Sequence, residues 1–270
     1  MAAVRILVTG ATGFLGGPAV EALRERGHEV VVTARKGVEA AVDLAAPGMV
    51  AAVVEALRPD LVLNLAAMAR QPECERSIDA ARAINVAVPA EFARRFGSRL
   101  LHVSTDLVFD GRHAPYSETS APAPLSAYGA TKAEGEEAAL RRGGRVVRLP
   151  LLFGPDDRGR GASASLRAAA AAGSPSRMYT NEYRTPLHSA DAAAALAELV
   201  ADPGAPPLVH VAGPERCSRW EFACRFFGRH GLDASLLVPV ECEDAARPRD
   251  ASLVGAFVPR RSLDAMLADA

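Results

Sequence analysis

The run Val4-Arg5-Ile6-Leu7-Val8-Thr9 feeds directly into Gly10-Ala11-Thr12-Gly13-Phe14-Leu15-Gly16, a Gly-x-x-Gly-x-x-Gly pattern. A short apolar run is a buried strand, and glycines at this spacing ahead of a helical segment leave few folds open. They permit a tight turn and let backbone N–H groups approach an anion, which then sits at the positive end of the next helix. The pattern points to a βα unit that cradles a pyrophosphate; a tight turn without a ligand is the alternative. Leu15 to Arg26 reads as that helix, with Pro18 tolerated near its first turn and Gly27 closing it.

The rhythm continues. His28–Thr33, Leu61–Leu65, Leu100–Ser104 and Arg145–Leu149 read as strands, with helices at Val50–Leu57, Ile78–Phe96 and Ala127–Arg141. Pro59 stops one helix, and Pro89 should end or kink another. Strands and helices alternating this way predict an α/β fold, a doubly wound parallel sheet built from right-handed βαβ units. After Pro150 the pattern weakens. A short helix at Arg167–Ala172, a helix at Ala190–Val200, a strand at Leu208–Val211 and an amphipathic helix at Trp220–His230 remain legible. We expect a dinucleotide-binding (Rossmann) domain over 1–153. A small C-terminal lobe, mainly substrate-binding, takes 154–270, with 186–212 returning to the first domain.

Composition excludes several classes. Formal net charge is −1 with arginine scattered, so nothing argues for nucleic acid. Cys74, Cys217, Cys224 and Cys242 are dispersed, which supports neither a metal site nor a disulfide framework and suits free thiols in a reducing cytoplasm. No apolar run approaches the roughly eighteen residues a membrane span needs. Met1 to Gly16 turns into glycines too early for a secretory leader and reads as a buried first strand.

The second strand should end near an adenosine ribose. An acidic residue there would favour NAD, but the chain has Thr33-Ala34-Arg35-Lys36. Two cations suit a 2′-phosphate, hence NADPH with NADH as the alternative cofactor; a solvated basic loop is the competing reading. Asp43 and Leu44 are placed to flank the adenine. Small residues in Asn64-Leu65-Ala66-Ala67 would let a cofactor pass close over the backbone.

Only two lysines stand against twenty-nine arginines, and Lys132 lies four residues after Tyr128. That spacing is one helical turn, so both side chains share a face. An ammonium is a compact point charge that can sit beside a phenol and sugar hydroxyls, which a planar guanidinium does less well. A fixed cation there would depress the Tyr128 pKa and make it a proton donor near neutral pH.

Upstream, Ser104-Thr105-Asp106-Leu107-Val108-Phe109-Asp110-Gly111 puts hydroxyls at the carboxyl edge of a strand, where open α/β sheets bind ligands. Tyr116-Ser117-Glu118 and Ser126-Ala127-Tyr128-Gly129-Ala130-Thr131-Lys132-Ala133-Glu134-Gly135-Glu136 follow. Together these segments resemble the extended short-chain dehydrogenase/reductase family, and most nearly its dTDP-4-dehydrorhamnose reductase branch. Asp60 to Ala67 and Arg247-Pro248 with Ser252-Leu253 are similar to further motifs of that branch.

The resemblance implies an NADPH-dependent reductase of a keto group on a nucleotide-activated deoxysugar. It assigns catalysis to Thr105, Tyr128 and Lys132. Thr105 would bond the substrate carbonyl, Tyr128 deliver the proton, and Lys132 hold the nicotinamide ribose. It assigns the cofactor to Gly10, Thr12, Gly13, Phe14, Leu15, Gly16, Arg35, Lys36, Asp43, Leu44, Ala66, Ala67 and Met68, together with Tyr128 and Lys132. Thr105, Leu107, Tyr128 and Arg247 would contact substrate; Arg247 would grip a diphosphate bidentately, the alternative being a surface arginine in a loop fixed by Pro248. It leaves room for a homodimer.

The chain departs from the branch at Leu107, where a Tyr is usual, and at Met68-Ala69-Arg70-Gln71-Pro72. Leu107 after Asp106 also lacks the acidic pair of sugar dehydratases. A second reading is a cofactor-binding partner without turnover, similar to the regulatory subunit of methionine adenosyltransferase. A third is an epimerase, which Arg35 and Lys36 disfavour. Elsewhere, His102 reads as a packed strand residue, the segment around His188 as a helix start served by Ser189 and Asp191, with a cleft-lining His188 as the alternative, and Trp220 with Phe222, Phe226 and Phe227 as core. Glu134, Glu136 and Glu137 read as a solvated face.

Overall fold

A computed structural model describes residues 3–39 and 41–270; Met1, Ala2 and Ala40 lie outside the described residues. The first half runs β1 (Arg5–Thr9), α1 (Gly16–Glu25), β2 (Glu29–Thr33), α2 (Met49–Leu57), β3 (Leu61–Asn64), α3 (Gln71–Arg76), α4 (Ile78–Arg82), α5 (Val88–Phe96), β4 (Leu100–Thr105), α6 (Ala127–Leu140) and β5 (Arg145–Leu149). The second runs β6 (Leu152–Phe153), α7 (Gly161–Ala171), β7 (Ser176–Tyr179), β8 (Tyr183–Arg184), β9 (Leu187–His188), α8 (Ser189–Ala201), β10 (Leu208–His210), β11 (Cys217–Ser218), α9 (Arg219–Arg229), β12 (Leu237–Val240) and α10 (Leu263–Leu267).

Six strands form one parallel sheet in the order β10-β5-β4-β3-β1-β2. The chain steps from β1 to β2 on one side and to β3 on the other, so the strand order reverses between β1 and β3. A crevice opens at such a switch point, above the carboxyl ends of the strands.

Alternation along the strands sorts the core. Ile6, Val8, Leu63, Leu101 and Val147 pack on one face with Ala19 and Leu23 of α1 and with α8. Leu7, Val62, Leu100 and Val146 face the other side, against Val50 and Val53 of α2 and Phe92 and Phe96 of α5. Each such side chain contributes roughly 1.5–3 kcal/mol on burial. Phe222, Phe226 and Phe227 of α9 are fully buried and continue the first cluster into the C-terminal lobe.

The predicted helix Ile78–Phe96 forms without a gap but carries an irregular turn ahead of Pro89. Residues Ala83–Ala87 form a π turn between α4 and α5. Pro89 has no N–H for the Asn85 carbonyl four residues back. That carbonyl points instead at Gly135 of α6, where a Cβ would stand 2.1 Å from it. Glycine at 135 is therefore what lets the two helices meet.

Several boundaries differ from expectation. The helix expected at Arg167–Ala172 starts earlier, at Gly161. The lobe contains three two-stranded pairs, β6 with β9, β8 with β11 and β7 with β12, which no periodicity announced. The acidic run on α6 is not uniformly solvated. Glu136 is buried and paired with Arg148 of β5 at 2.7 Å, because a charge inside a strand buried along its whole length needs a buried partner. No helix among the described residues is long and apolar enough to cross a membrane.

Candidate active site

The crevice at the switch point is a groove of ≈ 740 Å³. Gly10, Thr12 and Gly13 form one wall at the carboxyl end of β1. Gly10 adopts φ +65, and a Cβ on it would stand 2.8 Å from the Ala66 amide nitrogen. A side chain there would strain the backbone and collide with the groove floor, formed by Ala66, Ala67 and Met68. Arg35 and Lys36, both exposed, close the end beyond β2 with Asp43 and Leu44. A long, narrow anionic molecule such as a dinucleotide fits these walls: small residues and backbone in the middle, cations at one end.

Phe14, Leu15 and Gly16 are not on the groove wall. Leu15 and Gly16 are buried at the start of α1, and Gly161 packs against the Phe14 ring. Arg160 is a groove residue the sequence did not disclose among so many arginines. Its guanidinium donates to the Thr12 carbonyl at 2.5 Å and pairs with Asp156, and Arg158 donates to the same carbonyl at 3.1 Å. The segment after β6 is thereby strapped across the glycine turn. Asn85 is a second unforeseen residue. Its side chain bonds Met68 N at 2.9 Å, Met68 O at 3.1 Å and Thr131 Oγ1 at 3.0 Å, fixing the groove floor to α6.

Thr105 ends β4. Its hydroxyl accepts from Leu107 N at 3.2 Å and donates to Asp106 Oδ1 at 3.1 Å. Ser126 caps α6 by accepting from Gly129 N, which places Tyr128 and Lys132 along the first turns of that helix. Neither Tyr128 nor Lys132 lines the groove itself. Leu107 is half-buried in the turn after Thr105.

The expected depression of the Tyr128 pKa is not found. Burial first and the Asp106 carboxylate second hold the phenol above its ordinary value, against a hydrogen bond with Thr105. The Lys132 side chain is engaged elsewhere. Nζ donates to the Val103 carbonyl at 2.7 Å and lies 3.1 Å from His102 Nε2. Burial pushes Lys132 down to about 8, opposed by Glu136. His102 is thus more than packing. Its Nδ1 lies 2.9 Å from the Asn64 amide nitrogen, and Asn64 Oδ1 accepts from Thr9 Oγ1 at 2.6 Å.

Beyond Thr105 lies a buried charge cluster from the lobe. Arg184 stands 3.3 Å from Asp106 and 3.4 Å from Glu182. Burial outweighs that guanidinium and pushes Asp106 up to about 6. Arg247 grips Glu182 through two bonds of 2.7 and 3.0 Å and lies over the Tyr179 ring. Its fork, expected on a substrate diphosphate, is held by a carboxylate of the chain itself. Arg219, at the start of α9, has a buried Nη1 without a partner. The cap of α8 is His188, which accepts from Ala190 N, rather than the expected Ser189 or Asp191.

A family model described as the RmlD substrate binding domain matches residues 4–261. Methionine adenosyltransferase 2 subunit beta of Pongo abelii is 31% identical over 267 residues, covering 92% of this chain and 80% of its own length. Among solved structures, dTDP-4-dehydrorhamnose reductase from Bacillus anthracis in complex with NADP superposes with a TM-score of 0.88 at 25% identity, covering 98% of this chain and 97% of its own. A dTDP-4-dehydrorhamnose reductase from Clostridium acetobutylicum gives 0.87 at 25% identity with the same coverage.

Proposed function

The chain belongs to the RmlD substrate binding domain family, in the extended short-chain dehydrogenase/reductases, and on that premise we propose that it reduces a keto group on a nucleotide-activated deoxysugar with NADPH. The observation that carries this reading is the placing of Thr105 at the carboxyl end of β4 beside a phenol that stays protonated, with Lys132 one turn further along α6. Nicotinamide supplies the hydride when bound. Thr105 Oγ1 bonds the carbonyl oxygen, and Tyr128 Oη gives that oxygen its proton. Lys132 stands behind this pair, its Nζ held by the Val103 carbonyl and His102. The lobe residues Arg247 and Arg219 receive the anionic part of the substrate, Arg247 exchanging Glu182 for a phosphate.

Purified protein offered a panel of dTDP-4-keto-6-deoxysugars should oxidise NADPH with at least one of them. Absence of turnover across the panel retires the sugar assignment. Arg35 and Lys36 supply the preference for a 2′-phosphate. Replacing both by alanine should cost about 10- to 100-fold in NADPH affinity, roughly 1.4–2.7 kcal/mol, with little change for NADH. Equal losses for both cofactors would show that the two cations do not read the phosphate.

The identity to methionine adenosyltransferase 2 subunit beta favours a second reading, a dinucleotide-binding partner of another enzyme. The occupied Arg247 and the apolar Leu107 agree with it. A stable complex with a second enzyme, together with no reduction of any ketone offered, would select it.

A further inference from the structure

Thr9, Asn64 and His102 are register partners on three adjacent strands, β1, β3 and β4, so their side chains form one polar rung across the sheet. All three are fully buried, as Lys132 nearly is. The contacts along the rung have a direction. Ala66 N donates to Thr9 Oγ1 at 3.2 Å, and the Thr9 hydroxyl donates to Asn64 Oδ1 at 2.6 Å. That leaves the Asn64 amide nitrogen facing His102 Nδ1 at 2.9 Å as a donor.

A neutral imidazole accepting at Nδ1 carries its proton on Nε2. Nε2 stands 3.1 Å from Lys132 Nζ. An ammonium has only hydrogens to offer and cannot receive that proton; an amine can, while still donating to the Val103 carbonyl. His102 is held neutral by its complete burial.

We propose that Thr9, Asn64 and His102 are positioning residues that form a directed hydrogen-bond chain ending on Lys132 as an amine, and that charging Lys132 requires the whole rung to reverse. Reversal moves the imidazole proton from Nε2 to Nδ1 and turns the Asn64 amide over, so that its oxygen accepts from Nδ1 and its nitrogen donates to Thr9. The proton that charges Nζ comes from water, and no other bond changes. Lys132 is then a switchable group, set by Thr9 two strands beyond β4. The other titratable group acting on it is Glu136 of its own helix, which is paired with Arg148 of β5. Burial and rung act in the same direction, against the charge.

The rung itself does not rest on the reductase reading; its consequence for turnover does. The two lysines of this chain make the test direct, because lysine labelled with 13C at the ε-carbon gives only two resonances. In wild-type protein without dinucleotide, Lys132 should titrate well below the ordinary lysine range. Thr9→Val removes the hydroxyl proton that fixes the Asn64 amide, so reversal becomes easier and the Lys132 midpoint should rise by about one pH unit. Were Nε2 instead the acceptor for a resting ammonium, the same substitution would remove the oxygen that receives the amide and the midpoint would fall. A fall, or no change, overturns the proposal.

If Thr9→Val does not fold, 15N spectra of wild-type histidine decide. Above the Lys132 midpoint the His102 proton should be on Nε2, and finding it on Nδ1 overturns the directed chain. Both readouts use the protein without cofactor or substrate. A failure of ketone reduction leaves them intact, and a failure of the rung leaves the reductase assay intact.

Discussion

Tyr128→Phe should lower NADPH-dependent ketone reduction by about 10²- to 10⁴-fold, the range that general acid catalysis contributes, while dinucleotide affinity stays within about threefold, under 1 kcal/mol. The substitution keeps the ring and removes the oxygen that carries the proton. Burial and Asp106 hold that proton on the phenol at neutral pH. Lys132 is anchored by Val103 and His102 rather than by Tyr128, so losing the hydroxyl leaves the ammonium or amine where it is. Steady-state rates with the accepted ketone, and a fluorescence titration with NADPH, separate the two effects. Unchanged turnover would take Tyr128 out of the mechanism, and a parallel collapse of binding would mean that its role is structural.

The largest effect on stability should come from Glu136→Leu. Glu136 and Arg148 are each about 3% exposed at the side chain. Their carboxylate and guanidinium share three contacts of 3.0, 3.1 and 2.7 Å. Arg148 also lies over the Phe109 ring, 4.9 Å from its centre, and 3.2 Å from His210. Removing the carboxylate leaves a guanidinium sealed between α6 and the sheet, at a cost of about 3–5 kcal/mol. The melting temperature should drop by on the order of 10 °C. Adding Arg148→Met should restore most of the loss, because no uncompensated charge then remains. Thermal and denaturant unfolding of the two variants measure this; a single variant within about 1 kcal/mol of wild type would show that water reaches the pair.

The first half of the chain was legible because its signals are local. Parallel strands buried on both faces are continuous apolar runs, and Gly10 and Pro89 mark positions where only one backbone behaviour is allowed. The lobe was not legible for the opposite reason. Leu152 pairs with Leu187 and Cys217 with Arg184, two-residue strands joined across tens of residues with no period to detect. The site shows the same division. Thr105 and Tyr128 could be found from the ends of elements, but the contacts of Lys132 could not, because they depend on strand register. The strand β5 carries one further signal. Arg148 sits inside an apolar strand, and a charge in that position requires a partner, which Glu136 supplies.

The order in which the sheet is completed has a consequence for biosynthesis. Its sixth strand, β10, joins β5 only after residue 208 has been made, and α8, which covers α1, follows β9. A nascent chain ending near residue 153 would have its glycine turn and α6 in place, yet would carry an unpaired strand edge and a bare apolar sheet face. Truncation at that point therefore yields a sticky fragment rather than a free-standing nucleotide-binding unit, and the ribosome must deliver most of the second half before the first can be sealed.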